Sequence, residues 1–144
     1  MKILRDTNIL LRPSNRRTPE LAAITESLDT LIAQGHGRCI CAQSVAELWA
    51  TLTRPLAANG FGFEPAEARR RTEILLGSLT FIPDPPTLFS SWLALYTTHR
   101  VCGRQVYDAR LVALMTASGI TKFARLNSQD FARYAELELI VPRT

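Results

Sequence analysis

Apolar positions along the chain fall into short runs and longer helical stripes, separated by turn residues. The first run, Lys2 to Leu11 (KILRDTNILL), carries Ile3 and Leu4 into a charged triplet, Asp6-Thr7-Asn8, and then turns apolar again. It reads as a buried first strand ending on a carboxylate. Arg12 to Arg17 is a Pro/Ser/Asn turn cluster, and Thr18-Pro19-Glu20 starts a helix, with Thr as cap and Pro at the first helical position. Leu21, Ile24, Leu28, Leu31 and Ile32 keep helical spacing up to Gly35-His36-Gly37. Cys39-Ile40-Cys41 is a second strand. Ser44 then opens a helix with Val45, Leu48, Trp49, Leu52 and Leu56 on one face, which Arg54-Pro55 ends or kinks.

Beyond the loop Asn59-Gly60-Phe61-Gly62, a helix is predicted from Glu64-Pro65 to Leu76, followed by a brief strand at Phe81-Ile82. Pro83-Asp84-Pro85-Pro86 closes that strand. A helix through Phe89, Trp92, Leu93 and Tyr96 ends near His99, and Cys102-Gly103 is a break. Val106 to Ala117 is a strongly apolar helix stopped by Gly119. Lys122 to Leu126 is a fourth strand, Asn127 to Tyr134 a short helix and Leu137 to Val141 a last strand before Pro142. There is no repeat, low-complexity tract or linker, so residues 1–144 form a single domain. About five strands separated by helices predict a parallel three-layer α/β/α sandwich.

Open α/β sheets place ligands just outside the carboxyl ends of their strands. Asp6 therefore stands where a metal or reactive group belongs, unless Asp6 and Asn8 only bond the local backbone. Three other acids invite the same question. Glu47 lies on the polar side of its helix near Gln43, Thr51 and Arg54, yet Ser44-Val45-Ala46-Glu47 also fits an S-x-x-E capping box. Asp108 heads an apolar stripe formed with Leu111, Val112 and Met115. A carboxylate buried there needs a cation or backbone amides, or else it is the N-cap of the helix. Asp130 follows Asn127-Ser128-Gln129, where Asn127 as cap with Asp130 in the first turn is the structural alternative.

Charge sharpens this picture. The chain has 17 basic residues against 13 acidic ones, and arginine supplies 15 of the 17. Arginine suits phosphate through its planar fork, which favours a polyanionic partner. Arg69-Arg70-Arg71 reads as a solvated helix face or a phosphate contact. Apolar runs fall short of a membrane span, and Arg5 and Asp6 interrupt any signal-peptide core. Three cysteines without framework spacing, Cys39, Cys41 and Cys102, suit a reducing cytoplasm rather than a disulfide scaffold, and they offer no zinc site. No nucleophile elbow, phosphate loop or aspartyl-phosphate motif is present.

Four segments, ILRDTNILL, SVAELWATLTRP, GRQVYDARLVALM followed by Gly119-Ile120, and LNSQDFARY, resemble the PIN domain and, within it, the VapC-type ribonuclease toxins. They occur in that family's order and span nearly the whole chain. The resemblance implies strand order 3-2-1-4-5 and a catalytic set of Asp6, Glu47, Asp108 and Asp130, with Asp6 and Asp108 as principal ligands of Mg²⁺ or Mn²⁺. Thr7, Asn8, Asn127 and Arg104 are the expected substrate-side residues, with Asn127 an alternative fourth site position. Two residues depart from the family pattern: Arg5 replaces an apolar residue, and Arg125 stands where a Thr-rich strand end is usual. The implied activity is metal-dependent endoribonucleolysis of an RNA substrate. The implied partners are a VapB-type antitoxin and a second copy in a homodimer. Two other functions fit these residues: a PIN-fold RNA-processing nuclease outside toxin–antitoxin systems, and a non-catalytic RNA-binding module with a degenerate site.

Overall fold

The computed structural model describes residues 2–5, 19–124, 131, 133–135 and 137–140. Its strands are β1 (Lys2–Arg5), β2 (Gly37–Cys41), β3 (Thr80–Ile82), β4 (Lys122–Ala124) and β5 (Glu138–Ile140). The helices are α1 (Pro19–Ala33), α2 (Ala42–Thr53), α3 (Pro65–Gly77), α4 (Leu88–Thr98) and α5 (Gln105–Ala117), with a 3₁₀ turn at Leu56–Ala58. Every strand pairing is parallel, and the sheet order is β3-β2-β1-β4-β5. The predicted sandwich and the order implied by the family resemblance are both found.

Alternation along the central strand divides the core. Leu4, paired with Cys39 and Phe123, faces a cluster with Cys41, Ile82 and the α5 residues Leu111 to Met115. Ile3 points the other way, onto Leu28 of α1, with Ala124 and Ile140. Sheet faces covered on both sides explain why these strands read as continuous apolar runs. A third cluster joins α2 to α3 through Leu48, Leu52 and Ala68, with Trp49, Phe61 and Phe63 packed against it. Helix α5 is the central helix of the fold. Ala109, Leu111, Val112, Ala113, Leu114 and Met115 are all at most 3% exposed. A helix apolar around its circumference has to be enclosed, and α5 is, by the sheet and by α4.

Two connections fix where a site can lie. β2 ends at Cys41 and α2 begins at the next residue, so the first turns of α2 stand at the carboxyl edge of the sheet. α5 ends at Ala117, only a short turn before β4 enters the sheet, so its other end, Gln105, lies back at that same carboxyl edge. The chain moves from β1 through β2 to β3 on one side, then returns to β4 and β5 on the other. The carboxyl end of β1, at Arg5, is thus the switch point at which open α/β sheets bind ligands.

Candidate active site

Glu47 sits on α2, exposed at its polar face. The capping box read from Ser44-Val45-Ala46-Glu47 is not formed. Because β2 runs straight into α2, the N-cap is Cys41, and Ser44 is already the third helical residue. Its side chain turns inward, 3% exposed, with Oγ 3.3 Å from Cys41 Sγ. Glu47 is left to face outward, and Gln43 Nε2 reaches its Oε1 at 3.5 Å.

Asp108 is half-buried on α5, and the N-cap reading fails for it too. Gly103 adopts φ +58, a left-handed turn that glycine makes at little cost, so the helix is under way by Gln105 with Arg104 as N-cap. Asp108 is the fourth helical residue, still within the first turn, where the positive end of the helix favours a carboxylate. Below it, Leu111, Val112 and Met115 are buried as the stripe predicted.

This turn of α5 is held from two sides. Tyr96 of α4 donates its hydroxyl to the Val106 carbonyl at 2.7 Å, and Gln43 of α2 donates Nε2 to the Tyr107 carbonyl at 2.8 Å. Burial raises the Tyr96 phenol above its ordinary value, with nearby Arg110 opposing the rise, so it remains a donor at neutral pH. Arg110, one helical turn beyond Val106 on α5, gives Nη1 to Gln43 Oε1 at 3.0 Å and Nη2 to Asp84 Oδ2 at 3.1 Å. Gln43, Asp84, Tyr96 and Arg110 were not predicted as site residues. Only the spacing of Gln43 four positions before Glu47 carried a local signal.

A third wall comes from the C-terminal segment. Phe131 is fully buried and stacks on Phe123 of β4, ring centroids 5.0 Å apart. Tyr134 lies edge-on to His99, and Arg133 donates to the His99 carbonyl at 3.1 Å. Burial raises the Tyr134 phenol; Arg133 works against that rise, and the Asp108 carboxylate adds to it. The segment that begins one residue after Asp130 is therefore close to the Asp108 turn.

Asp6, Thr7, Asn8, Asn127 and Asp130 lie outside the described residues, as does Arg125. Of the predicted site, Glu47, Asp108 and Arg104 are described, with Arg104 exposed at the start of α5. Arg5 closes β1 with its side chain 5% exposed. Its charge and that of Lys2 offset part of the rise of the Cys39 thiol, which burial and neighbouring Cys41 push up to about 11. The Arg69-Arg70-Arg71 run is engaged within its own surface: Arg69 pairs with Glu73, Arg70 and Arg71 share Glu67, and Arg71 also lies over the Phe63 ring.

Among the described residues, no three metal-ligating side chains converge. The donor chemistry nevertheless fits a hard divalent ion. Glu47 and Asp108 offer carboxylate oxygen, whereas Cys39 and Cys41 are buried and the raised Cys39 thiol stays protonated. Oxygen donors select Mg²⁺ or Mn²⁺ over softer metals. No described helix is long and apolar enough to cross a membrane.

Fold and site define a parallel α/β domain whose α2 and α5 carboxylates stand at the edge beside the switch point. The chain belongs to the PIN domain family, whose family model matches residues 3–137. It is 26% identical over 137 residues to ribonuclease VapC24 of Mycobacterium tuberculosis, covering 90% of this chain and 88% of that one. Among solved structures it is similar to VapBC2 from Rickettsia felis bound to a promoter DNA fragment. There the TM-score is 0.67 at 18% identity, over 96% of this chain and 97% of the other. VapC20 of Mycobacterium tuberculosis, a toxin cleaving the sarcin-ricin loop, gives a TM-score of 0.62 at 16% identity, over 97% and 99% of the two chains. These structural likenesses concern the fold.

Proposed function

We propose that this protein is a metal-dependent endoribonuclease, the toxin of a VapBC-type pair, hydrolysing phosphodiester bonds of RNA to 5′-phosphate and 3′-hydroxyl ends. The observation carrying this reading is that two carboxylate-bearing helices, α2 with Glu47 and α5 with Asp108, are tied together by Gln43 at the carboxyl edge. A family match over nearly the full length supports it. So does the naming of a relative aligned over 90% of this chain as a ribonuclease.

In this reading Asp6 and Asp108 hold Mg²⁺ or Mn²⁺, and Glu47 and Asp130 complete the set. When bound, such an ion makes water ionisable near neutral pH and sets positive charge against the phosphate. The remaining work falls to the chain. Glu47 orients the attacking water through a hydrogen bond to its carboxylate. Arg104, at the positive end of α5, holds a phosphate of the RNA on the entry side. Thr7 and Asn8 fix the Asp6 carboxylate, and Asn127 contacts the substrate. The partners are an RNA, a VapB-type antitoxin and a second copy of the chain.

The test is cleavage of RNA with Mg²⁺ or with chelator, by wild type and by Asp6→Asn. Metal-dependent cleavage leaving 5′-phosphates, lost in Asp6→Asn, is expected. Cleavage that persists under chelation, or is equal in both proteins, refutes the proposal. Growth arrest on expression, relieved by the product of a small neighbouring gene, tests the toxin assignment separately.

A further inference from the structure

Gln43 occupies the point where α2, α5 and the β3–α4 connection meet. Its Oε1 accepts from Arg110 Nη1 at 3.0 Å, its Nε2 donates to the Tyr107 carbonyl at 2.8 Å, and the same Nε2 stands 3.5 Å from Glu47 Oε1. Arg110 is oriented in turn by Asp84 at 3.1 Å. This chain of contacts leaves the amide one acceptable orientation, because turning it over would point its NH₂ at a guanidinium and its oxygen at a carbonyl. With Oε1 committed to Arg110, both amide hydrogens are directed at the site: one to the carbonyl beside Asp108, the other toward Glu47. The long Glu47 contact is of the kind that tightens once a ligand is bound.

We infer that Gln43, locked by Arg110 and Asp84, is a positioning residue that sets Glu47 against the Asp108 turn and thereby tunes the affinity of the carboxylate set for a divalent ion. The inference rests on the metal-dependent reading of the site. Partners behind metal ligands typically change metal affinity by about 10–100-fold when removed. Gln43→Met deletes donor and acceptor at nearly constant volume. Arg110→Lys keeps the charge but cannot serve Gln43 and Asp84 with one planar fork.

Mn²⁺ titration by calorimetry on RNA-free protein is the primary measurement, accompanied by the Mg²⁺ concentration giving half-maximal cleavage. The expected result is a Kd for Mn²⁺ raised about tenfold or more in Gln43→Met, with half-maximal Mg²⁺ raised in parallel and the rate at saturating Mg²⁺ less affected. The double variant Gln43→Met/Arg110→Lys should be no weaker than Gln43→Met alone, since both break one chain of contacts. Folded variants that bind Mn²⁺ as wild type does overturn the inference, and so do strictly additive effects. Should Gln43→Met fail to fold, Arg110→Lys, at the half-exposed rim, decides on the same criterion. A wild type that binds no Mn²⁺ and cuts no RNA overturns the nuclease reading itself, and this inference with it; wild-type binding matched by Gln43→Met overturns only the inference.

Discussion

Replacing Asp108 by Asn separates what the carboxylate contributes to folding from what it contributes to chemistry. The two side chains are nearly equal in shape, so Leu111, Val112 and Met115 beneath it stay packed. The Tyr96 and Gln43 bonds to the Val106 and Tyr107 carbonyls do not involve the Asp108 side chain and also remain. The negative charge in the first turn of α5 is by itself worth about 0.3–1 kcal/mol to folding. For a chain of this size its loss lowers Tm by roughly 1–4 °C. On the proposed function, chemistry loses a metal ligand. If that removes about 3–5 kcal/mol of transition-state stabilisation, cleavage slows by roughly 10²–10⁴-fold. The assay pairs initial rates on a fluorescent RNA at saturating Mg²⁺ with thermal melting of the same preparations. A fall of less than tenfold in an intact Asp108→Asn protein removes Asp108 from the site. A large loss of Tm would show instead that its principal role is structural.

Three further outcomes follow from the packing. Tyr96 and Tyr134 are both raised above the ordinary 10.0, mainly by burial, so the stability they lend is complete below pH 10 and is lost as pH rises through their folded-state values. Alkaline unfolding of Tyr134→Phe, followed by circular dichroism, should therefore begin at higher pH than that of wild type; an unchanged onset refutes the assignment. Gly60→Ala should destabilise by roughly 1–3 kcal/mol, because a Cβ there would stand 2.0 Å from the Arg54 carbonyl oxygen, which already accepts the Gly62 amide. Denaturant midpoints check this, and a shift within error contradicts the close approach. Phe131→Ala should cost about 3–5 kcal/mol by emptying the stack on Phe123. On the proposed reading cleavage should also fall at temperatures where the variant is still folded, since Phe131 directly follows Asp130 in the sequence; undiminished activity in the folded variant denies that segment a role.

The architecture was readable because each face of the parallel sheet is covered. Ile3, Leu4, Ile40 and Phe123 are buried whichever way they point, so their strands stand out as apolar runs between turn residues. α5 was readable for the same reason: its middle, residues 111–115, is enclosed on all sides and has to be apolar. The start of α2 was less legible. Ser44-Val45-Ala46-Glu47 has the letters of a capping box, but a box needs a free chain end at its serine, and β2 passes into α2 without a loop. At α2 the helix begins where β2 releases the chain, and the local letters around Ser44 do not encode that point. At α5 the start was read to within one residue, Val106 against the observed Gln105, and only the alternative of Asp108 as N-cap is excluded.

The same distinction governs the site. Asp108 could be singled out as a carboxylate crowning an apolar stripe, whereas Glu47 entered the set only through the family resemblance, its own letters reading equally as a capping box. Gln43, Asp84 and Arg110 carry no such anomaly, being ordinary polar residues on partly exposed faces. Their meaning lies in contacts that span 67 positions between Gln43 and Arg110 and 26 between Asp84 and Arg110. Each of these bonds is partly solvated and contributes only about 1 kcal/mol to stability. Folding energy therefore gives little reason for them to be there. Their geometry gives a better one: together they restrict how the Glu47 helix can approach the Asp108 turn, and a site built from carboxylates on separate helices depends on that approach being fixed.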